Sequence, residues 1–345
     1  MTNTKEFGSD FEYATNEEFL LKGSTASYFD NSNFTLFFSG RVALYHLLAQ
    51  GIREHRWKHV FLPSFYCHEV IHFISSLDIK VSYYAFNPFV DSTDKKLFLE
   101  DIDCNVVVNV SFFGVAKLDV NYFKNATIID DYTHDLSGIK ESGADYCFGS
   151  LRKELPLPVG GFCFSPKNLK LPKAPSNSFA DAIAVQKLTA MYLKSEYLKG
   201  NFSDKEFYRS LYSSAEEKFE HQTTNAGLPE VAKALLFKLD FEKILIQKKK
   251  NLKIALELLA PFTQVFKKDF MGFGLILLCD NQKQKNELKS MLIENAIFPA
   301  TLWPNQLGKL DIDTEERMLF VHLDYRYNEQ DALHIATTIQ SFLKG

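Results

Sequence analysis

Ile128-Ile-Asp-Asp-Tyr-Thr-His-Asp-Leu136, followed by Ala144-Asp-Tyr-Cys-Phe-Gly-Ser-Leu-Arg-Lys-Glu-Leu-Pro-Leu-Pro-Val-Gly-Gly161, is the part of the sequence that decides the fold. Two apolar runs end here in polar punctuation. The first ends in Asp130 and Asp131, the second in Ser150, Arg152 and Lys153. Both read as strands of one parallel sheet with their polar residues at the carboxyl ends, the edge at which open α/β sheets bind ligands. A carboxylate and a lysine from nearby strands then face one bound molecule. An aldehyde cofactor with a pyridine ring uses both: the amine forms a Schiff base, and the carboxylate keeps the ring nitrogen protonated so that the ring draws electrons. Neighbouring side chains of a strand point to opposite sides, and Asp131 is the member of the acidic pair expected to face the site.

Upstream, Phe34–Phe38 reads as a short strand, Ser39-Gly40 as a turn, and Arg41 to His55 as a helix with Val42, Tyr45, Leu48, Ala49 and Ile52 on one face. Small residues at a helix amino end leave N–H groups free, and the helix dipole adds positive potential, so this point can seat a phosphate. Val60 to Pro63 is a strand leading into a helix carrying Ile71, Ile74 and Leu77, and Ile79–Phe86 alternates as a strand. Asn105 to Phe113 is apolar at nearly every residue, the pattern of a strand buried on both faces. Gly160–Phe164 adds an antiparallel strand. Strands separated by helical segments predict an α/β domain with right-handed crossovers.

Downstream, helices are predicted over Phe179–Leu198 and Asp204–Phe219, and one long linker helix over Glu230–Leu259. The last hundred residues read as a smaller α+β domain. Its strands are Gly272–Cys279 and Met318–Leu323, its helices Gln282–Asn295 and Asn328–Leu343, and Ile297–Pro304 is an extended, substrate-facing segment. The expected division is an arm over 1–33, a large domain over 34–245 and a small domain over 246–345.

At 345 residues, 46% hydrophobic and 24% charged, the composition is that of an ordinary globular protein with room for two domains. A net charge of −4 offers no general attraction to nucleic acid or an acidic membrane. No run of about 18 apolar residues predicts a membrane span. The amino terminus lacks the apolar core of a signal peptide. Five scattered cysteines without a Cys-x-x-Cys pair fit reduced thiols and a cytoplasmic protein, and no metal site is expected. The Lys248–Lys250 run reads as a solvated helix face.

Asp131 with His134 three residues on, Gly149-Ser-Leu-Arg-Lys153 followed by Leu-Pro-Leu-Pro and a Gly pair, and Ser39-Gly-Arg-Val-Ala-Leu44 resemble the DegT/DnrJ/EryC1/StrS family of pyridoxal-phosphate aminotransferases. The resemblance spans roughly Leu36 to Phe164. It implies the fold type I architecture: a mostly parallel central sheet with flanking helices, plus a smaller C-terminal α+β domain. It also implies that Lys153 holds pyridoxal 5'-phosphate as an aldimine and shuttles the proton, that Asp131 pairs with the pyridinium nitrogen, and that His134 supports the phenolic oxygen or ring edge. Ser39, Gly40 and Arg41, with Ser150, then seat the phosphate. In the family the segment led here by Pro63 delivers a ring onto the cofactor; Cys67 stands where an aromatic is usual, leaving Tyr66 or His68 for that contact. Asn225 matches a residue that reaches a neighbouring subunit's site, whereas Gly227 replaces the accompanying arginine. Arg326, flanked by Tyr325 and Tyr327, is the expected grip on a substrate carboxylate, the other reading being a surface arginine paired with Asp324 or Glu329.

The family's chemistry points to a homodimer that transfers an amino group from glutamate to a keto-sugar nucleotide for surface polysaccharides. Gly227 and the short chain leave open another fold type I enzyme acting on an amino acid or a non-sugar carbonyl compound. A non-enzymatic α/β protein in which Lys153 binds nothing covalently is the remaining reading.

Overall fold

The computed structural model describes residues 5–14, 17–22, 25–89, 106–120, 123, 125–220, 225–265 and 273–345. Asn105 and Gly272, the first residues of two stretches read above as strands, and Cys104, one of the five cysteines, lie outside them. The first half of the chain carries β1 (Phe7–Gly8), β2 (Phe34–Phe37), α1 (Gly40–His55), β3 (His59–Pro63), α2 (His68–Ile74), β4 (Lys80–Tyr84), β5 (Val106–Val110), β6 (Thr127–Asp131), β7 (Tyr146–Ser150) and β8 (Gly161–Phe164). The second half carries α3 (Ser178–Leu198), α4 (Lys205–Glu220), α5 (Glu230–Leu236), α6 (Phe241–Leu258), β9 (Leu275–Leu278), α7 (Gln282–Glu294), β10 (Ile297–Phe298), α8 (Lys309–Arg317), β11 (Met318–Val321) and α9 (Glu329–Lys344).

Seven strands form the central sheet in the order β2-β8-β7-β6-β5-β3-β4. The strands from β7 to β4 are parallel, and β8 runs against both its neighbours. β5, Val-Val-Val-Asn-Val, is buried at every residue, as a strand covered on both faces must be. Its one polar side chain, Asn109, is satisfied by the backbone of Leu118 and by Asp130. On one side of the sheet α1 packs Val42, Ala43, Leu44, Leu47 and Leu48, all without exposure. Each such leucine contributes about 1.5–3 kcal/mol by leaving water. The parallel strands all end at one edge, where Pro63, Val110, Asp131 and Ser150 stand together.

A separate core, with Leu252, Leu292, Leu319, Ile335 and Ile339, joins α6, α7 and α9 to the antiparallel pair β9–β11. The N-terminal arm is stitched to this part by β1, which pairs in parallel with β10. The helix predicted over Glu230–Leu259 is two helices. Phe237–Asp240 interrupt it because Leu239 bridges to Leu20 and the Asp240 carboxylate caps the next helix by accepting from the Lys243 N–H. Lys248 departs from the solvated face expected of its run: it is buried and ion-paired with Glu154. Among the described residues no helix is long and apolar enough to cross a membrane.

Candidate active site

A cleft of about 230 Å³ lies at the carboxyl edge of the parallel strands. Ser39, Gly40, Arg41, Tyr66, Cys67, Asp131, His134, Ser150 and Lys153 all line it, together with His68, Thr133, Phe219 and the segment Thr301–Asn305.

Asp131 ends β6 with its carboxylate turned into the cleft and buried. Its Oδ1 accepts from the Thr133 backbone N–H at 2.8 Å, and its Oδ2 accepts from the Tyr66 hydroxyl at 2.6 Å. Burial raises its pKa above the usual aspartate value, while the Thr133 and Tyr66 donors pull it back. Burial and the facing carboxylate push the Tyr66 phenol well up, so the proton stays on Tyr66. Asp130 points to the other side of the sheet, where it is bound by Lys117, Ser142 and Asn109.

Lys153 follows β7 after one tight turn. Its side chain is open to the cleft but walled by protein elsewhere, and this desolvation, aided by the Arg152 guanidinium, lowers its pKa; Cys67, Glu216 and Glu69 oppose the effect. His134 is buried in a stack of rings, 4.3 Å from Phe273, 5.2 Å from Phe113 and 5.3 Å from Trp303 between centroids. Its Nδ1 is buried without a hydrogen-bond partner. Desolvation, with Lys153 and Lys248 nearby, holds its pKa well below the usual histidine value, so the ring is neutral. Cys67 is half-buried, and burial raises its thiol pKa. Among the described residues no group of three potential metal ligands occurs.

The start of α1 is held by the Ser39 side chain, which accepts from the Val42 N–H at 3.3 Å. Gly161 makes this approach possible: a Cβ there would stand 2.1 Å from the Ser39 carbonyl carbon. Arg41 binds Glu220 at 2.7 Å and the Phe219 carbonyl at 2.9 Å. The Ser150 N–H donates to the Thr133 hydroxyl at 3.2 Å. The far wall comes from Thr301–Asn305. Trp303 and Asn305 have φ of 51° and 68°, left-handed values held by Glu315, which accepts from the N–H groups of Asn305 and Gln306. The Gln306 side chain in turn donates to the Tyr66 carbonyl at 2.7 Å.

Arg326 and Tyr327 are not brought to the cleft, and Asn225, expected at a neighbouring subunit's site, does not line this one. Asn225 is exposed, and only its backbone carbonyl is engaged, by Asn177. Gly227 is wedged against Pro175, whose carbonyl oxygen would lie 2.9 Å from a Cβ, so no arginine side chain could start from this point without moving the backbone. Arg326 is buried rather than free. It makes a two-bond fork with Asp324 at 2.9 and 2.8 Å, reaches Glu12 at 3.2 Å, and donates to the carbonyls of Gly8 and Asp10. The Tyr327 hydroxyl accepts from the Gly8 N–H at 2.5 Å. Both residues therefore hold the arm. Sequence reasoning missed Thr133 and Trp303, which line the cleft, and Gln306, which holds the Tyr66 backbone. Only Trp303 carried a signal, its place in the extended segment read as substrate-facing.

No protein-family model matches the sequence, and no curated protein does. Solved structures do match in fold. A Streptococcus pneumoniae protein assigned as a sugar aminotransferase, in its PMP form, superposes with a TM-score of 0.64 over 99% of this chain and 98% of that one, at 13% identity. A DegT DnrJ EryC1 StrS aminotransferase from Brucella abortus gives 0.57 over 92% and 88%, at 14% identity. DesI, solved in the presence of its TDP-sugar product, gives 0.57 over 89% and 80%, at 13% identity. The chain thus has the fold of these aminotransferases, the fold type I architecture with its central, mostly parallel sheet.

Proposed function

We propose that this protein is a pyridoxal-phosphate-dependent aminotransferase that moves an amino group from glutamate to a keto-sugar nucleotide, as a cytoplasmic homodimer serving surface polysaccharide synthesis. The observation that supports it most is the meeting of Asp131 and Lys153 on the walls of one cleft at the carboxyl edge of the sheet. The residues present fit the cofactor. A buried carboxylate held by two donors and a lysine of lowered pKa stand ready for a pyridine aldehyde, and the orphaned Nδ1 of His134 lacks the partner a ring substituent would give it.

When bound, pyridoxal phosphate supplies an aldehyde that exchanges amines and a ring that draws electrons from the substrate carbon. Lys153 would be the amine that attaches it and, once released, the base that carries a proton; desolvation lowers its pKa and so favours the neutral form. Asp131 keeps a proton at the ring nitrogen. His134, neutral, offers a hydrogen bond at the ring edge without adding charge. Ser39, Gly40 and Ser150 around the start of α1 seat the phosphate, with Arg41 adding positive potential in the first turn. Residues 34–245 carry these groups as the large domain, and 246–345, the small domain, supplies the Thr301–Asn305 wall. A nucleotide sugar as acceptor is supported by the likeness to DesI, a protein solved with a TDP-sugar.

The test is chemical trapping. Protein loaded with pyridoxal phosphate, reduced with borohydride and digested should carry the cofactor on Lys153, and glutamate added to the unreduced form should release one equivalent of 2-oxoglutarate per site. Cofactor fixed on another lysine, or no release, refutes the reading.

A further inference from the structure

Asp131 owes one of its two donors to a residue outside its own strand. The Thr133 N–H is placed by the end of β6, and the Asp130 carboxylate, which disfavours charge on Asp131, sits beside it on the same strand. The Tyr66 hydroxyl comes from elsewhere, from residues 64–67, the short link between β3 and α2. Whatever holds Tyr66 therefore decides whether Asp131 keeps its second donor.

One side chain holds both backbone groups of Tyr66. The Tyr66 N–H donates to Gln306 Oε1 at 3.4 Å, and Gln306 Nε2 donates to the Tyr66 carbonyl at 2.7 Å. The same Nε2 also donates to the Trp303 carbonyl at 3.0 Å. The amide thus spends its two hydrogens on two carbonyls and its oxygen on an N–H, and a flipped amide would set oxygen against oxygen at both carbonyls. Gln306 is only 5% exposed, so water does not stand in for these bonds.

The clasp is anchored from behind. The two carboxylate oxygens of Glu315, on α8, accept from the Asn305 N–H at 3.0 Å and the Gln306 N–H at 2.8 Å, which fixes the turn in which Trp303 and Asn305 are left-handed. The Trp303 ring then lies 5.8 Å from that of Tyr66 and 5.3 Å from that of His134. Glu315, Gln306, Tyr66 and Asp131 make one hydrogen-bonded series from α8 to the cleft.

We propose that Gln306 is a positioning residue for Asp131: its clasp on the Tyr66 backbone aims the Tyr66 hydroxyl at the carboxylate, so the segment that forms the far wall of the cleft also governs that carboxylate. Without the clasp the hydroxyl loses its aim, the acid form of Asp131 gains, and a ring nitrogen opposite it loses its ionised partner. The last consequence rests on the aminotransferase reading; the clasp does not.

Gln306→Met keeps the length and volume of the side chain and removes both ends of the clasp. In the full chain without cofactor, carbon-13 NMR of aspartate-labelled protein should show the Asp131 midpoint move up by at least half of the shift that Tyr66→Phe produces. The double variant should go no further than Tyr66→Phe alone, because the clasp acts through that hydroxyl. A residue that only stabilised the fold would lower the denaturation midpoint and leave the titration where it was. A Gln306→Met midpoint within about 0.3 units of wild type, or shifts that add in full in the double variant, overturn the proposal. If Gln306→Met does not fold, Glu315→Ala loosens the clasp from outside the cleft: an upward midpoint supports the proposal, and an unmoved one overturns it. Failure of the aminotransferase reading is separate, seen as absence of borohydride-fixed cofactor on wild-type Lys153, and leaves the titration unaltered.

Discussion

Replacing Tyr66 with Phe removes one oxygen atom from the centre of the site, and its effect can be worked out beforehand. The Tyr66 hydroxyl donates to Asp131 at 2.6 Å, and the phenol ring is buried, so no solvent replaces the bond. A hydrogen bond to a charged acceptor contributes about 1.5–3 kcal/mol. Divided by 1.36 kcal/mol per pKa unit, its loss should raise the Asp131 pKa by about 1–2 units. The sign follows from the donor's preference for the carboxylate: without it, the acid form gains. Because burial already holds this pKa above its unfolded value, the ionised carboxylate detracts from native stability. Stability should therefore fall as pH rises from the ordinary aspartate range to the native pKa, and in Tyr66→Phe the fall should extend to a pH about 1–2 units higher. Carbon-13 NMR of aspartate-labelled protein without cofactor reads the titration directly, with Asp131→Asn identifying the resonance. A midpoint that moves by less than about 0.3 units would show that the Thr133 N–H alone sets the charge of Asp131 and that Tyr66 only fills space.

Arg326→Ala should cost about 3–5 kcal/mol, because it strands the buried Asp324 carboxylate, and should expose the Gly8–Glu12 segment to protease; denaturant midpoints and limited proteolysis check both. Lys248→Ala leaves Glu154 buried and unpaired, with a similar cost, and Lys248→Ala combined with Glu154→Gln should recover part of it. Asp130→Asn weakens contacts to Lys117 and Ser142 on the far side of the sheet, so it should lower stability by about 1–3 kcal/mol while cofactor still loads on Lys153.

The site-bearing edge was legible because it is written locally. Asp131 and Lys153 each stand within a few residues of an apolar run, and a period-2 alternation separates Asp131 from Asp130 without knowledge of the partner strands. Arg326 was legible as a residue and only partly as a role: its pairing with Asp324 lies within Asp-Tyr-Arg-Tyr, but its other partners Gly8, Asp10 and Glu12 are more than three hundred residues away and nothing in that stretch records them. Lys248 failed for the same reason, since a lysine run on a helix looks solvated until Glu154 is placed against it. The break at Phe237–Asp240 depends on Leu20 pairing with Leu239, again a distant strand contact. A two-residue strand such as β1 is too short to give any periodicity.

The pairing of the arm with the far end of the chain also has a consequence in time. Gly8 and the Tyr327 hydroxyl that receives its N–H are 319 residues apart in sequence. At about 5–20 residues per second, the arm emerges roughly 16–64 s before its anchor is synthesised. Asp131 and Lys153 are made in the first half of that interval, so the strands that carry them to the cleft can pair while the ribosome is still working. The arm cannot be fastened at Gly8 and Asp10 until Arg326 and Tyr327 have left the exit tunnel. A chain released about twenty residues early would keep Asp131 and Lys153 and lack the Arg326 and Tyr327 contacts that hold the arm.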